Sequence, residues 1–200
     1  MAVAVVFCVP CASAVQRAYP FSDVQDEATL HVAPLGPAAF VYGGSIARAI
    51  VRMKYEGRPD LALPLGDLLW ASIAAHRAAL DDVVVVPVPL HPVRLAERGF
   101  NQSALIAACV ARRLGAPFAA LALARTRDTP PQTALDRQRR VENVTGAFVV
   151  RQPDPIANRT VLLVDDVRTT GATLDGCAKA LIRAGAAHVR TIAVAQADAS

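Results

Sequence analysis

Short apolar runs alternate with longer amphipathic segments over most of the chain. The run DVVVVPV (82–88) is rich in β-branched residues, as in a strand buried on both faces. A helical pattern follows in NQSALIAACVARRLG (101–115), with Asn101 as its N-cap and Gly115 at its end. Further strands are predicted in FAALALA, GAFVV, TVLLVD and VRTIAVA, and a helix in TLDGCAKALIRAG. This alternation predicts an α/β fold with a mostly parallel, doubly wound sheet and helices on both faces.

The first 40 residues follow a different pattern, because prolines at positions 10, 20, 34 and 37 interrupt any long element. We therefore predict an irregular N-terminal segment, 1–40, ahead of a domain that spans 41–200. Helical periodicity begins in GGSIARAIVRMKYEG, where Ile46, Ile50 and Met53 share one face and Ser45 is the predicted N-cap. It continues in RPDLALPLGDLLWASIAAHRAAL.

Composition restricts the class of protein. The chain has 200 residues, of which 54% are hydrophobic, so it can bury a core and is not generally disordered. No apolar run reaches the roughly 18 residues that span a bilayer. The opening MAVAVVF is not preceded by a basic region and is too short for a signal peptide. A soluble, cytoplasmic protein without membrane insertion is expected.

The basic charge is almost entirely arginine, since lysine occurs only at Lys54 and Lys179, and the formal net charge is +4. Nine arginines lie between residues 94 and 140, opposed by Glu97, Asp128 and Asp136. The planar guanidinium group suits phosphate oxygens. A solvated arginine-rich surface explains the composition equally well. Charge thus indicates anionic ligands without identifying one.

The four cysteines do not form a zinc-binding pattern. Cys8 and Cys11 have the spacing of a zinc knuckle, but no second pair follows and a structural zinc needs four ligands. Zinc is therefore not expected. Cys109 and Cys177 lie at helical spacing from leucines, which predicts small residues of the core.

The stretch VLLVDDVRTTGAT (161–173) combines two features that fit one ligand. Asp165 and Asp166 follow a predicted strand, and two adjacent carboxylates can accept hydrogen bonds from the vicinal hydroxyls of a ribose. The following RTTGAT offers backbone N–H groups, threonine hydroxyls and a helix N-terminus to a phosphate. For the aspartates alone, an ordinary strand-to-helix turn is the better interpretation. The whole string favours a phosphorylated ribose.

This stretch resembles the signature of type I phosphoribosyltransferases that binds 5-phosphoribosyl-1-pyrophosphate (PRPP). VPVPLHPVRLAERGFNQ (86–102) is similar to a signature of the ComF (ComFC) family of competence-associated phosphoribosyltransferase-like proteins. VYGGSIARAIVRMKYEG (41–57) and RTRDTPPQTALDRQRRVENVTGAF (125–148) resemble that family's other segments, in the same order. The resemblance implies the type I phosphoribosyltransferase fold, with PRPP as ligand and Mg²⁺ bridging its pyrophosphate and ribose hydroxyls.

The resemblance also implies a role for individual residues. Asp165 and Asp166 would hold the ribose hydroxyls and Mg²⁺. The phosphate loop would comprise Thr169, Thr170, Gly171, Ala172 and Thr173, with Arg168 at its entrance. A long arginine-rich loop would act as a lid over the pyrophosphate, and its family-like positions are Arg125, Arg127, Gln132, Arg140 and Asn143.

Within that assignment, Arg125 and Arg127 would act in catalysis beside the aspartates. Arg94 and Arg98 are predicted to add positive charge near the pyrophosphate, although a surface role is equally consistent with their positions. His91 is followed by Pro92, which favours a structural turn over a general base.

Two functions follow from this interpretation. The first is Mg²⁺-dependent transfer of phosphoribose from PRPP to a nitrogen acceptor. The alternative is a non-catalytic module that senses PRPP or a nucleotide and binds single-stranded DNA or a competence helicase, with DNA contacts at Arg137, Arg139 and Arg140. Only 5% of residues are aromatic, which argues against extensive base stacking. No cysteine nucleophile follows Met1, so a glutaminase half is not expected. These sequence patterns identify neither the acceptor of the phosphoribosyl group nor a homo-oligomer.

Overall fold

The computed structural model describes residues 15–18, 32–34, 38–127 and 146–197. Their strands are β1 (Val32–Pro34), β2 (Phe40–Val41), β3 (Val83–Pro87), β4 (Leu123–Arg125), β5 (Phe148–Val150), β6 (Thr160–Arg168) and β7 (His188–Gln196). Their α-helices are α1 (Gly44–Tyr55), α2 (Ala62–Ile73), α3 (Pro92–Arg98), α4 (Gln102–Leu114) and α5 (Ala172–Arg183). Short 3₁₀ helices cover Pro59–Leu61, Ala74–Leu80 and Asp154–Ile156.

Within the described residues the main sheet is parallel. The strands β1 and β2 both pair with β7, which pairs with β6, which pairs with β3. On the far edge of β3, Val85 forms a parallel bridge with Phe118. The strand β1 brings residues from the segment before position 41 into the sheet, and the domain boundary itself stays a prediction.

Helices cover both faces of this sheet because successive strand side chains point to opposite sides. Val85 and Val164 pack in a core with α1, α2 and α4, whereas Val86 and Leu163 pack in a second core with α5 and the β4–β5 pair. All residues of β3 are buried, as its unbroken apolar run predicts. The predicted α/β class is confirmed. Cys109 and Cys177 are buried on their helices, as expected.

The N-terminus of α4 is fixed by Asn101, as predicted. Its Oδ1 accepts hydrogen bonds from the backbone N–H groups of Ser103 (3.0 Å) and Ala104 (3.4 Å), and its Nδ2 donates to the carbonyl of Val88 (3.0 Å). This side chain therefore joins the end of β3 to the start of α4. His91 caps α3 by accepting from the N–H of Val93, which supports its structural interpretation.

Two local predictions were wrong. Gly43, rather than Ser45, is the N-cap of α1, and Ser45 lies buried in the first turn. The run FAALALA is divided by a turn: Ala119 donates to Val85 on the edge of β3, Ala122 donates back to Ala119, and the remainder enters β4. The strands β4 and β5 then form a separate antiparallel pair. A short apolar run gives no signal of such an internal turn.

Gly66 sets the close approach of α2 to α4. An added Cβ would lie 2.6 Å from Cβ and 2.9 Å from Sγ of Cys109. We expect Gly66→Ala to lower the free energy of unfolding by about 1–3 kcal/mol despite the better helix propensity of alanine, and urea denaturation would measure this. At Gly43 an added Cβ would meet no heavy atom within 4 Å, so Gly43→Ala should cost less than about 1 kcal/mol. Equal losses at both positions would contradict the packing argument.

Candidate functional site

The carboxyl ends of β3 and β6 form the crevice where the direction of strand order reverses. From β3 the chain passes through α4 to the segment around Phe118, on one side of β3. From β6 it passes through α5 to β7, on the opposite side. The helices α4 and α5 consequently cover opposite faces of the sheet. In open α/β sheets, ligands bind at this switch point.

The acidic pair lies where β6 extends beyond its neighbour. Pro87 and Val164 are the last paired residues between β3 and β6, and β6 continues along β7 to Arg168. The strand is thus longer than predicted, and Asp165 and Asp166 lie within it. They are only 7% and 3% exposed, respectively. Because burying a charge is costly, both carboxylates need polar partners.

Asp165 is held by the start of α4. Its Oδ1 accepts hydrogen bonds from Ser103 Oγ and from the N–H of Asp166, both at 2.8 Å. Ser103 is 1% exposed and is oriented by the Asn101 cap. Sequence reasoning missed Ser103; the available signal was a hydroxyl two residues after a helix cap that follows a buried strand.

Asp166 is held by the end of α1. Lys54 Nζ lies 2.5 Å from Asp166 Oδ2, and the Lys54 side chain is 19% exposed. Sequence reasoning also missed Lys54. The signal was its position four residues after Ile50, on the apolar face of the predicted helix, where a lysine needs an acidic partner.

Burial and neighbouring charges separate the two carboxyl groups electrostatically. Burial raises the pKa of Asp165 to about 7, and the Asp166 carboxylate adds to this rise. Burial also acts to raise the pKa of Asp166, but Lys54 outweighs it and holds that pKa below its usual value. Burial would lower the pKa of Lys54, yet the two carboxylates raise it overall. Near pH 7 the site therefore contains an ionised Asp166 and an Asp165 close to its titration midpoint.

The predicted phosphate loop lies at the N-terminus of α5. Gly171 is the N-cap with φ +85°, and Thr170 Oγ1 accepts a hydrogen bond from the N–H of Ala172 (3.4 Å). Gln196 of β7 donates to the carbonyl of Thr169 (2.8 Å) and fixes the loop to the sheet. An open pocket joins the loop to Asp165 and is lined by Asp165, Val167, Arg168, Thr169, Gly171, Thr173 and Leu174. The two halves of the sequence motif thus meet in one place.

The Arg168 side chain lies over this loop. A Cβ added to Gly171 would lie 3.1 Å from Nε and 3.2 Å from Nη2 of Arg168. The glycine therefore allows both the left-handed backbone and the close position of the guanidinium group. This geometry places one positive charge beside the first N–H groups of α5, as an anion site requires.

The other predicted arginines differ in their relation to the pocket. Arg125 ends β4 with its guanidinium group 5.7 Å from the centroid of the Phe148 ring. Burial raises the pKa of the Cys177 thiol, Asp165 raises it further, and Arg125 opposes that rise. Arg98 stacks on Tyr55 at 5.7 Å and donates to the side chain of Gln102.

Arg94 and Arg127 are not placed in the pocket. Arg94 pairs with Glu97 on the exposed side of α3 at 2.9 Å. Arg127 is exposed at the end of a described segment. The predicted residues Cys8, Cys11, Gln132, Arg137, Arg139, Arg140 and Asn143 lie outside the described residues, and their roles stay predictions.

The described part of the chain contains no group of three or more histidine, cysteine, aspartate or glutamate residues that could hold a metal ion. None of the helices found there combines the length and apolar character needed to cross a membrane.

Known proteins resemble this chain in sequence. The family model described as phosphoribosyl transferase domain matches residues 101–200. The chain is 35% identical over 153 residues to DNA utilization protein YhgH of Escherichia coli, covering 74% of this chain and 66% of that protein. It is 30% identical to competence protein F of Haemophilus influenzae, with 74% and 66% covered, and 28% identical to competence protein ComFC of Streptococcus pneumoniae, with 78% and 66% covered. The chain thus spans 66% of the length of these curated relatives.

Among solved structures, the chain is similar to a glutamine PRPP amidotransferase from B. subtilis complexed with ADP and GMP. The two are 21% identical with a TM-score of 0.46, and the match covers 71% of this chain and 30% of that structure.

Proposed function

Because the chain belongs to the ComF family of phosphoribosyl transferase domain proteins, we propose that it binds PRPP at the carboxyl end of β6 and transfers the phosphoribosyl group to a nitrogen acceptor. The observation that carries the proposal is the pocket in which Asp165 faces the glycine-containing loop before α5. A phosphorylated ribose presents hydroxyl groups at one end and a dianion at the other. The pocket offers carboxylates and N–H groups in the same arrangement.

Each part of the pocket has a distinct role in this proposal. The carboxylates of Asp165 and Asp166 accept hydrogen bonds from the 2′ and 3′ hydroxyls. The loop N–H groups, the threonine hydroxyls and the N-terminus of α5 hold the 5′-phosphate. The ribose is thereby fixed at both ends, which orients its C1′ atom towards the crevice between β3 and β6.

The acidic pair also fits the proposed Mg²⁺ ion. In proteins, Mg²⁺ is usually held by one or two carboxylates together with phosphate oxygens of the substrate. Asp165 and Asp166 supply that number of carboxylates, and the remaining ligands would come from PRPP and water. Bound there, Mg²⁺ would neutralise part of the pyrophosphate charge.

The proposed transfer breaks the bond between C1′ and the pyrophosphate oxygen, and the electron pair of that bond leaves with pyrophosphate. The lone pair of the acceptor nitrogen forms the new bond to C1′, and the nitrogen then loses a proton. The guanidinium groups of Arg98, Arg125 and Arg168 would stabilise the negative charge on the leaving group. The predicted lid, including Arg127, Gln132, Arg140 and Asn143, would exclude water from the oxocarbenium-like transition state.

The names of the relatives favour a second candidate function linked to DNA. One relative is called a DNA utilization protein and two are called competence proteins. Under this proposal the chain is a cytoplasmic, non-catalytic module that senses PRPP or a nucleotide and binds single-stranded DNA or a helicase partner. It shares the pocket with the first candidate and differs in having no transfer step.

Calorimetric titration of the protein with PRPP, with and without Mg²⁺, tests the pocket. Release of pyrophosphate in the presence of ammonia, nucleobases and other amines then tests transfer. Binding with release supports the first candidate, and binding without release from any acceptor supports the second. The proposed function is wrong if PRPP does not bind.

The affinity for PRPP should depend on pH through Asp165. Its folded-state pKa of about 7 lies above the usual value, and the ionised carboxylate is the stronger acceptor for a hydroxyl. Affinity should therefore fall by up to about tenfold for each unit below pH 7 and level off above pH 8. Calorimetry from pH 5.5 to 8.5 measures this. In Asp165→Asn the pH dependence caused by this carboxyl group should be absent, and only the part caused by protonation of PRPP itself should remain. The same pH dependence in wild type and variant would contradict the assignment.

A further inference from the structure

Lys54 contacts the acidic pair from outside the segment that matches the family model. It lies in the last turn of α1, whereas the match begins at residue 101. The buried residues Ile46, Ile50 and Met53 anchor α1 on the core, so the helix holds a fixed position over the sheet. The lysine side chain is therefore directed to Asp166 by the packing of its helix.

The inward direction of Lys54 is specific within its own helical turn. Arg52 reaches the surface and pairs with Glu56 at 3.0 Å, with about half of each side chain exposed. Tyr55 is 75% exposed. A lysine stem of four carbons usually keeps its ammonium group in water, and here the group is largely removed from it. The ion pair with Asp166 offsets the loss of hydration, while the remaining 19% exposure leaves a side open to a ligand.

Lys54 changes the net charge of the pair. Two adjacent carboxylates attract a divalent cation. With the ammonium group of Lys54 in contact, the net charge of the cluster is one unit less negative and one oxygen of Asp166 is already engaged. Such a cluster keeps acceptors for neutral hydroxyls and attracts a free divalent cation less strongly.

We propose that Lys54 is a positioning residue of the phosphoribosyl-binding site. It fixes Asp166 through Oδ2 for a ribose hydroxyl, and it weakens binding of a free divalent cation to the acidic pair. This inference rests on the proposed function, and it adds α1 to the elements that form the site.

The first test uses the wild-type chain, whose lysines are Lys54 and Lys179. Lys179 is exposed on α5 and is an internal reference. Trace labelling with an amine-reactive reagent, read by mass spectrometry, should modify Lys54 more slowly than Lys179. Saturating PRPP with Mg²⁺ should slow labelling of Lys54 further and leave that of Lys179 unchanged. An unchanged rate at Lys54 in the presence of bound PRPP would overturn the proposal.

The second test compares Lys54→Met, Lys54→Arg and Lys179→Met. Loss of the ammonium group should weaken PRPP binding by about tenfold, Lys54→Arg should recover part of that loss, and Lys179→Met should bind as the wild type does. Without PRPP, Lys54→Met should bind Mn²⁺ more tightly than the wild type in a calorimetric titration. A purely structural ion pair would leave Mn²⁺ affinity unchanged.

The outcomes separate this inference from the proposed function. If the wild type binds PRPP and Lys54→Met binds it equally well, the role of Lys54 is wrong and the function stands. If the wild type does not bind PRPP, the role of Lys54 and the proposed function are both wrong. Should Lys54→Met fail to fold, the double variant Lys54→Met/Asp166→Asn removes both buried charges, and the labelling of the wild type still decides the proposal.

Discussion

Replacing Asp165 and Asp166 together by asparagine is expected to weaken PRPP binding by at least about 100-fold. Each carboxylate is proposed to accept a charge-assisted hydrogen bond from a ribose hydroxyl. Such bonds contribute about 1.5–3 kcal/mol each, so the loss of two corresponds to a factor of about 10² to 10⁴. Calorimetric titration of the double variant with PRPP and Mg²⁺ measures the loss.

The chain contains a matched control for this variant. Asp81 and Asp82 are also adjacent, but they are exposed and lie at the opposite, amino end of β3. The variant Asp81→Asn/Asp82→Asn removes the same charge and should bind PRPP with wild-type affinity. A comparable loss in both double variants would show that net charge, rather than the pocket, controls binding.

The single variants should differ in stability because the two carboxyl groups differ in pKa. The raised pKa of Asp165 means that the folded state loses stability as the pH rises from about 4 to about 7, and this loss is complete above about pH 8. Asp165→Asn should therefore raise the free energy of unfolding at pH 8 while weakening PRPP binding. Asp166→Asn should lower it, because the variant leaves Lys54 buried without its ionised partner. Thermal unfolding at pH 8 distinguishes the two.

The sequence predicted the elements whose signals are local. The apolar run of β3, the Asn101 cap and the Gly115 stop of α4 each lie within a few residues of the structure they specify. The motif from Val161 to Thr173 also folds as a strand, a turn and a helix start. Its function could be inferred because one contiguous segment supplies both ends of the pocket.

The sequence did not predict the partners that reach the acidic pair from other elements. Ser103 and Lys54 are separated from the acidic pair by 62 and 112 positions along the chain. Their contacts depend on how α4 and α1 cross the sheet, and hydrophobic periodicity does not encode that orientation. Lys54 gave an indirect signal, since a charge on an apolar helical face needs a buried partner.

The sequence pattern also could not distinguish two arginines of α3 whose surroundings differ in the structure. Arg94 and Arg98 lie one helical turn apart in α3. Arg94 pairs with Glu97, while Arg98 extends towards Tyr55 and Gln102. The sequence gives no signal that separates the two, so only tertiary packing could tell which one reaches residues of other helices.

Gly171→Ala is expected to weaken PRPP binding by about 100-fold through two effects on the phosphate loop. At φ +85° an alanine is strained by about 1–2 kcal/mol, and its Cβ would displace the Arg168 guanidinium group, which lies 3.1 Å from that position. The loop N–H groups and the nearby positive charge would both move from their positions around the phosphate. Titration with PRPP and with ribose 5-phosphate measures the effect, and both ligands should weaken equally because they share the 5′-phosphate.

Gly115→Ala separates the clash from the backbone strain. Gly115 has φ +75° at the end of α4, and an added Cβ would meet nothing within 4 Å. The two alanine variants should therefore lose similar stability, about 1–2 kcal/mol, while only Gly171→Ala loses affinity. Arg168→Ala, which keeps the glycine, should show the part of the loss that belongs to the guanidinium group. If Gly171→Ala binds ribose 5-phosphate as tightly as Gly115→Ala does, the turn before α5 does not hold the phosphate.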